Sequence, residues 1–180
     1  MRYNMPRILC VDDEPLNISL LEAHLLPRGY EVVRAANGAD ALEKIHTERI
    51  DICLLDVIMP GIDGFEVCRR IKSDARHRSV PVIMITSFTD KINRIRGIEA
   101  GAEDFIIKPF DGAEVLARIK MLLQVKMLND RLNSAYNNIT MMSSFCVLPP
   151  TKDGPTRHRK VNPLDRCRSM TATDVLNPPL

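Results

Sequence analysis

The 180-residue sequence contains no Trp and only three Tyr and five Phe. This is too little aromatic material for a surface on which nucleobases stack. Its 25 basic side chains are nearly balanced by 23 acidic ones, so the chain also lacks the basic excess of a typical nucleic-acid-binding protein. No apolar run approaches the roughly 18 residues that cross a membrane. We therefore expect neither a nucleic-acid partner nor a membrane partner.

The five cysteines include no Cys-x-x-Cys pair, which argues against a zinc site or a disulfide framework built on them. The polar N-terminus does not resemble a secretory signal peptide. Free thiols are usual in a reducing compartment. The sequence therefore predicts a cytoplasmic protein.

Charge and proline are unevenly distributed along the chain. Residues 146–180 contain six basic and three acidic side chains and half of the twelve prolines. This composition favours disorder, whereas residues 6–123 show the regular apolar patterns of a folded domain. We interpret the chain as a domain over 6–123, a helical linker over 124–145 and a basic, proline-rich, disordered tail over 146–180.

Short apolar runs alternate with segments of helical periodicity throughout the predicted domain. Five strands are predicted, at residues 7–11, 31–35, 52–55, 80–86 and 105–107. The runs show no polar alternation, as expected for strands that are buried on both faces. Alternating strands and helices predict an α/β fold with a doubly wound, five-stranded parallel sheet and five helices, the last of them extended.

Polar side chains end or directly follow four of these strands, at Asp12, Asp13, Asp56, Thr86 and Lys108. The carboxyl ends of parallel strands meet at one edge of the sheet, where ligands bind in such folds. Three carboxylates placed together repel one another unless a cation neutralises them, and an oxygen-only ligand set suits Mg²⁺. A carboxylate beside a metal ion, a hydroxyl and an ammonium group is suited to phosphoryl transfer. Asp56 is the predicted nucleophile.

Four segments at these strand ends resemble the receiver domain of bacterial two-component response regulators, whose fold is of the chemotaxis, flavodoxin-like type. They read Val-Asp-Asp-Glu, Asp-Val-Ile-Met-Pro-Gly-Ile-Asp-Gly, Ile-Thr-Ser and Lys-Pro-Phe, in this order. The resemblance extends over residues 6–123. It implies a regulator of a phosphorelay that passes its signal by a conformational change and by contact with a downstream protein, and that is not itself an enzyme.

The resemblance also implies a role for each acidic residue. Asp56 resembles the phosphoacceptor that takes a phosphoryl group from a sensor histidine kinase. Asp13 and Asp56 would bind Mg²⁺ through side-chain oxygens, Asp12 through a water molecule, and Ile58 through its backbone carbonyl. Magnesium is thus the implied cofactor.

Three further residues resemble the family's conformational and phosphoryl-binding positions. Thr86 and Phe105 resemble the switch pair, in which the hydroxyl moves to the phosphoryl group and the aromatic ring turns inward. Lys108 resembles the phosphoryl-binding lysine, and its bond to Pro109 is expected to be cis.

The sequence departs from chemotaxis-type members beside the phosphoacceptor. Ile58 lies two residues after Asp56, and Phe88 lies two residues after Thr86. A polar residue at either position would orient water for attack on the acyl phosphate, whereas two apolar side chains exclude it. We therefore predict slow self-dephosphorylation.

The helix that begins near Asp111 continues beyond the domain with apolar residues at alternating steps of three and four. These are Val125, Leu128, Leu132, Ala135, Ile139 and Met142. The pattern is typical of a coiled coil and predicts a parallel homodimer. The competing interpretation is a helix face that packs on its own domain.

No output domain can be identified after the linker, so one alternative is a truncated regulator that has lost it. A second alternative is a phosphatase of the haloacid-dehalogenase type, which also uses Asp, Thr or Ser, and Lys around Mg²⁺. Those enzymes carry a second acid two residues after the nucleophile, where this chain has Ile58. A third is a DNA-binding regulator, for which only the tail would be available.

Overall fold

The structure is a computed structural model that describes residues 5–87 and 91–144, with side chains described as far as residue 136. The chain divides into two compact units, residues 1–140 and 141–180. The fold and the site described below belong to the first unit. The interpretations of Phe88 and of the tail over 146–180 lie outside the described residues.

Five parallel strands form one sheet in the order β2-β1-β3-β4-β5. They are β1 (Arg7–Val11), β2 (Glu31–Ala35), β3 (Ile52–Asp56), β4 (Val82–Thr86) and β5 (Asp104–Ile107). The predicted fold is confirmed, but β4 begins two residues later than the apolar run suggests. Pro81 has no N–H to donate to a sheet, and the N–H of Val80 donates instead to the carbonyl of His77 in the preceding turn.

Five α-helices connect and flank the strands within the described residues. They are α1 (Pro15–Leu25), α2 (Gly38–Thr47), α3 (Gly64–Ser73), α4 (Lys91–Glu99) and α5 (Gly112–Ser144). Side-chain caps define three of the N-termini: Asn37 Oδ1 accepts from the N–H of Asp40 at 2.9 Å, Asp63 Oδ1 accepts from Glu66 at 2.8 Å, and Asp111 Oδ1 accepts from Ala113 at 3.1 Å.

Helix α1 ends at Leu25. Pro27 follows, and the chain continues as a short 3₁₀ helix over Leu26–Arg28. Leu26 is therefore exposed instead of lying on the buried face of α1. Gly29 then adopts a left-handed conformation with φ of 80°, which a residue without a side chain adopts at little cost.

The sheet is buried on both faces, which explains why its strands are apolar without alternation. Successive strand residues point to opposite sides, so Leu9 and Val11 pack with α2 and α3, while Ile8 and Cys10 pack with α1 and α5. Within residues 112–136, the part of α5 whose side chains are described, Leu122 is the last residue buried in the core. These two layers hold the carboxyl ends of the strands at a common edge.

Helix α4 leaves its apolar side chains on the surface. Ile92, Ile95 and Ile98 are 72%, 44% and 59% exposed, respectively. The helix packs instead through Gly97, where an added Cβ would lie 2.6 Å from Cζ of Phe105. The predicted helix is present, but its periodic apolar side chains do not contribute to the core.

Candidate functional site

The carboxyl edge of the sheet carries the polar residues that the sequence predicts there. Asp12 follows β1 directly, Asp56 and Thr86 are the last residues of β3 and β4, and Lys108 follows β5. Asp12, Asp56 and Thr86 are each no more than 5% exposed. Ionisable groups are rarely buried this deeply unless they are paired or hold a ligand, so their burial marks this edge as a candidate site.

Three carboxylates at this edge are close enough to share one cation. Asp12, Asp13 and Asp56 each offer an oxygen, and these atoms all lie within 4.8 Å of one another. Asp13 is exposed, so an incoming ion has access from solvent. The donor set consists of hard oxygen ligands, as Mg²⁺ requires, and therefore fits the implied metal.

Lys108 connects two of the three carboxylates. Its Nζ lies 2.9 Å from Oδ2 of Asp12 and 3.1 Å from Oδ2 of Asp56. Burial alone would lower the pKa of Lys108, but the hydrogen bond to Asp12 and the charge of Asp56 outweigh it and raise the pKa. One ammonium group therefore faces three carboxylates, which leaves net negative charge for a divalent cation to neutralise.

Asp12 is held by the start of α1. Its Oδ1 accepts from the backbone N–H of Glu14 at 2.9 Å and from Nδ2 of Asn17 at 3.0 Å. These bonds leave Oδ2 directed at Lys108. Sequence reasoning missed Asn17, since an Asn in the first turn of a helix is common and its spacing from Asp12 carries no distinctive signal.

Asp56 is oriented by its own loop. Its Oδ1 accepts from the N–H of Val57 at 2.8 Å, and its Oδ2 faces Lys108. Burial raises the pKa of this carboxyl group; Lys108 opposes the shift and the charge of Asp12 adds to it. A raised pKa with a specific charged partner in a cleft is typical of a functional group.

Thr86 and Phe105 line a cleft of about 360 Å³ beside this carboxylate, together with Val57, Phe65 and Lys108. Phe105 is partly buried, and the guanidinium of Arg94 lies 6.0 Å from the centre of its ring. The Lys108–Pro109 bond is cis, as the resemblance implies. The structure therefore brings the two predicted switch residues into one cleft.

Ile58 follows β3 in the loop that leads to α3, and its side chain is 52% exposed. Its backbone carbonyl remains a predicted ligand. Phe88, its predicted partner in excluding water, lies outside the described residues, so slow self-dephosphorylation stays a prediction.

The sequence matches a family described as the response regulator receiver domain over residues 8–120. It is 46% identical over 126 residues to the response regulator PleD of Caulobacter vibrioides, across 70% of this chain and 28% of that protein. It is 41% identical over 120 residues to the transcriptional regulatory protein AfsQ1 of Streptomyces coelicolor, across 67% of this chain and 52% of that protein. The chain thus spans about half or less of the length of these curated relatives.

Solved structures show the same architecture. A CheY-like receiver domain protein from Methanospirillum hungatei has a TM-score of 0.66 and 28% identity, with 70% of this chain and 99% of that chain covered. A response regulator structure from Chloroflexus aurantiacus has a TM-score of 0.65 and 38% identity, with 67% and 99% covered. These likenesses cover the part of the chain that carries the site.

Proposed function

The chain belongs to the response regulator receiver domain family, and on that premise we propose that Asp56 accepts a phosphoryl group from a sensor histidine kinase. A receiver domain acts in two-component signalling as a phosphoacceptor and not as an enzyme. The observation that carries the assignment to Asp56 is its position. It is a buried carboxylate at a strand end, clustered with Asp12 and Asp13 and paired with Lys108.

Magnesium is the proposed cofactor of this site. Asp13 and Asp56 would hold it through side-chain oxygens, Asp12 through water, and Ile58 through its backbone carbonyl. Bound Mg²⁺ supplies positive charge to the phosphoryl oxygens and to the crowded carboxylates. The support for this cofactor is the oxygen-only donor set and the excess of carboxylate over ammonium at the sheet edge.

The transfer itself needs little from the protein beyond position and charge. An oxygen of Asp56 attacks the phosphorus of the kinase phosphohistidine, the P–O bond forms, and the P–N bond breaks. The leaving imidazole keeps the electron pair of that bond. Lys108 contacts Asp12 and Asp56 before transfer and turns to a phosphoryl oxygen afterwards.

Thr86 and Phe105 convert phosphorylation into a change of shape. The Thr86 hydroxyl moves toward the phosphoryl group, and the ring of Phe105 turns into the space that it leaves. Phosphorylation then shifts a two-state equilibrium and alters the face formed by α4, β5 and α5, through which a downstream protein is bound. Ile95 and Ile98 of α4 and Ile107 of β5 are exposed, and exposed apolar side chains on these elements support a protein-binding surface.

The extended α5 is the proposed homodimer contact. Val125, Leu128 and Leu132 are each about half exposed, although they are spaced as coiled-coil core positions. A second copy of the helix would cover them.

The cytoplasm is the proposed location. Cys10, Cys53 and Cys68 are free thiols, as is usual in a reducing compartment. Among the described helices, none is both long enough and apolar enough to cross a membrane.

A phosphatase of the haloacid-dehalogenase type is not favoured. The family match assigns the chain to receivers, and Ile58 replaces the second acid that such an enzyme uses. The chain should therefore show no sustained turnover of phosphate esters.

Incubation with a small phosphodonor such as acetyl phosphate tests the assignment of Asp56. In the presence of Mg²⁺ we expect one acid-labile phosphoryl group per chain, and none in Asp56→Asn. The matched control is Asp51→Asn, since Asp51 is also a buried aspartate but precedes β3 instead of ending it. Equal labelling of Asp56→Asn and the native chain would refute the proposal.

A further inference from the structure

A second group of potential metal ligands lies where α2 and α3 end. His46 is in the last turn of α2, Asp74 is the C-cap of α3, and His77 is in the turn that follows. Oδ2 of Asp74 lies 3.3 Å from Nε2 of His46 and 3.0 Å from Nδ1 of His77. Nothing in the proposed phosphoryl transfer uses these three residues.

The hydrogen bonds of His46 prepare one of its nitrogens for a metal. Its Nδ1 lies 2.6 Å from the backbone carbonyl of Leu42. A carbonyl oxygen only accepts, so Nδ1 carries the proton, and the lone pair of neutral imidazole is then on Nε2. That atom faces Asp74. Metal-binding histidines commonly donate their other N–H to a carbonyl in this way.

The hydrogen bonds of Asp74 likewise leave one of its oxygens available to a metal. Its Oδ1 accepts from the backbone N–H of Arg76 at 2.9 Å, which fixes the carboxylate and leaves Oδ2 between the two imidazoles. Oδ2 also contacts Nη2 of Arg76 at 3.1 Å. The Arg76 side chain is 70% exposed, so it can turn into solvent while the bond from its backbone N–H to Oδ1 is kept.

The separations of the three atoms suit a small divalent cation. Bonds of about 2.0–2.1 Å at tetrahedral angles place neighbouring ligand atoms about 3.3 Å apart, close to the two distances to Oδ2. One nitrogen of each imidazole and one oxygen of Asp74 all lie within 4.8 Å of one another. The two imidazole rings would have to move toward one another for both nitrogens to bind one ion tetrahedrally.

We propose that His46, Asp74 and His77 form a binding site for a divalent transition-metal ion of the zinc class, with an open fourth position for water. Two imidazoles and one carboxylate suit Zn²⁺ better than Mg²⁺, which prefers oxygen ligands. With the ion bound, each neutral imidazole carries its proton on the other ring nitrogen, Nδ1 of His46 and Nε2 of His77. The carbonyl ends of α2 and α3 add favourable negative potential.

The bound ion connects the C-termini of α2 and α3, which the apolar core otherwise holds together. Because the site exists only in the folded chain, occupancy stabilises the fold according to the free metal concentration. These helix ends lie at the edge of the sheet opposite Asp56, so the site and the phosphoacceptor can be filled independently.

Zinc titration of the full chain in excess Mg²⁺ tests the proposal. Because Cys146, His158 and Cys167 in the tail could also bind Zn²⁺, the background for all measurements is Cys146→Ser, His158→Gln, Cys167→Ser. We expect one equivalent of Zn²⁺ to bind and to raise the thermal unfolding midpoint. In His46→Gln and His77→Gln the affinity should fall at least about tenfold, as is seen when parts of metal sites are removed.

The matched control is His24→Gln, which removes a histidine from α1 and should leave the affinity unchanged. Nitrogen-15 shifts of Nε2 in His46 and Nδ1 in His77 on zinc addition would identify the ligand atoms. Unchanged phosphorylation of Asp56 shows that the variants remain folded. The proposal would be overturned if the background chain failed to bind Zn²⁺, or if both histidine variants bound Zn²⁺ as tightly as the background chain. Either result would leave the receiver function untouched.

Discussion

At the scale of single residues, the role proposed for Asp56 works against the stability of the fold. It is buried beside Asp12, and Lys108 is shared between the two carboxylates. The pKa of Asp56 is raised chiefly by burial, so the ionised form costs folding free energy whenever no cation is bound. Sites that perform chemistry commonly retain such a cost.

We predict that Asp56→Asn raises the thermal midpoint of the metal-free protein by a few degrees at neutral pH. A group whose pKa is higher in the folded state contributes stability at low pH and loses it as the pH rises through that folded value. The increase in thermal midpoint caused by Asp56→Asn should therefore become smaller as the pH falls toward 3.8, the ordinary pKa of an aspartate. Paired melting curves in EDTA across this range measure the difference, and a gain that grows toward low pH would contradict the argument.

Asp13 allows metal binding to be tested apart from folding. It is exposed, so Asp13→Asn should leave the metal-free midpoint unchanged. The rise in midpoint on adding Mg²⁺ should be largely lost, because the substitution removes one of the charged oxygen ligands. Calorimetric unfolding with and without Mg²⁺ checks this. Glu43→Gln, a substitution on α2 away from the sheet edge, should retain the full Mg²⁺ effect.

Residues at the strand ends could be predicted from the sequence because the parallel sheet rule places them at one edge. Asn17 could not be predicted, since its bond to Asp12 depends on how α1 leaves β1. The cluster of His46, Asp74 and His77 was missed for a related reason. Its members come from two helix ends and a turn, and only the packing of α2 against α3 brings them together.

At the scale of elements, the junction between β3 and α3 shows why a glycine is needed. Gly64 is the first residue of α3, and its N–H donates to the carbonyl of Val57 at 3.0 Å. A Cβ at this position would meet the backbone carbonyl of Asp56 and lie 2.8 Å from Cα of Val57. These backbone atoms cannot move without displacing Asp56.

Gly64→Ala should therefore lower the free energy of unfolding by about 1–3 kcal/mol, the usual cost of overpacking, and slow phosphorylation of Asp56. Denaturant unfolding and labelling by acetyl phosphate measure the two effects. Gly112→Ala is the matched control at the start of α5, because the three atoms nearest to its Cβ would all belong to the ring of His24, a side chain that can move. If Gly112→Ala lowered the free energy of unfolding as much as Gly64→Ala does, this account would be contradicted.

The helices show what the periodicity of apolar residues cannot predict. Periodicity predicts α4, but it cannot show that Ile92, Ile95 and Ile98 face solvent, since the same spacing serves a buried and an exposed face. Capping residues locate the start of α5 at Asp111. The exposed side chains of Leu128 and Leu132 leave the coiled-coil interpretation as a prediction.

At the scale of the whole molecule, the first part of α5 packs in the core and the part that follows lies on the surface. Among the α5 residues whose side chains are described, 112–136, the last buried one is Leu122 and the last partly buried one is Lys126. Leu128 and Leu132 are more than half exposed. The folded domain should therefore be complete without the residues that follow Met127. Dimerisation, in contrast, should depend on them.

We predict that a chain ending at Met127 keeps its Mg²⁺-dependent phosphorylation and its unfolding midpoint but sediments as a monomer. In the full chain, Leu128→Glu with Leu132→Glu should dissociate the dimer, because charges at coiled-coil core positions are costly to bury. Lys120→Glu is the control for added negative charge on an exposed face of α5 and should leave the dimer intact. Sedimentation equilibrium distinguishes these states. If the full chain is a monomer at every concentration, or if the double variant remains a dimer, the helix does not provide the contact.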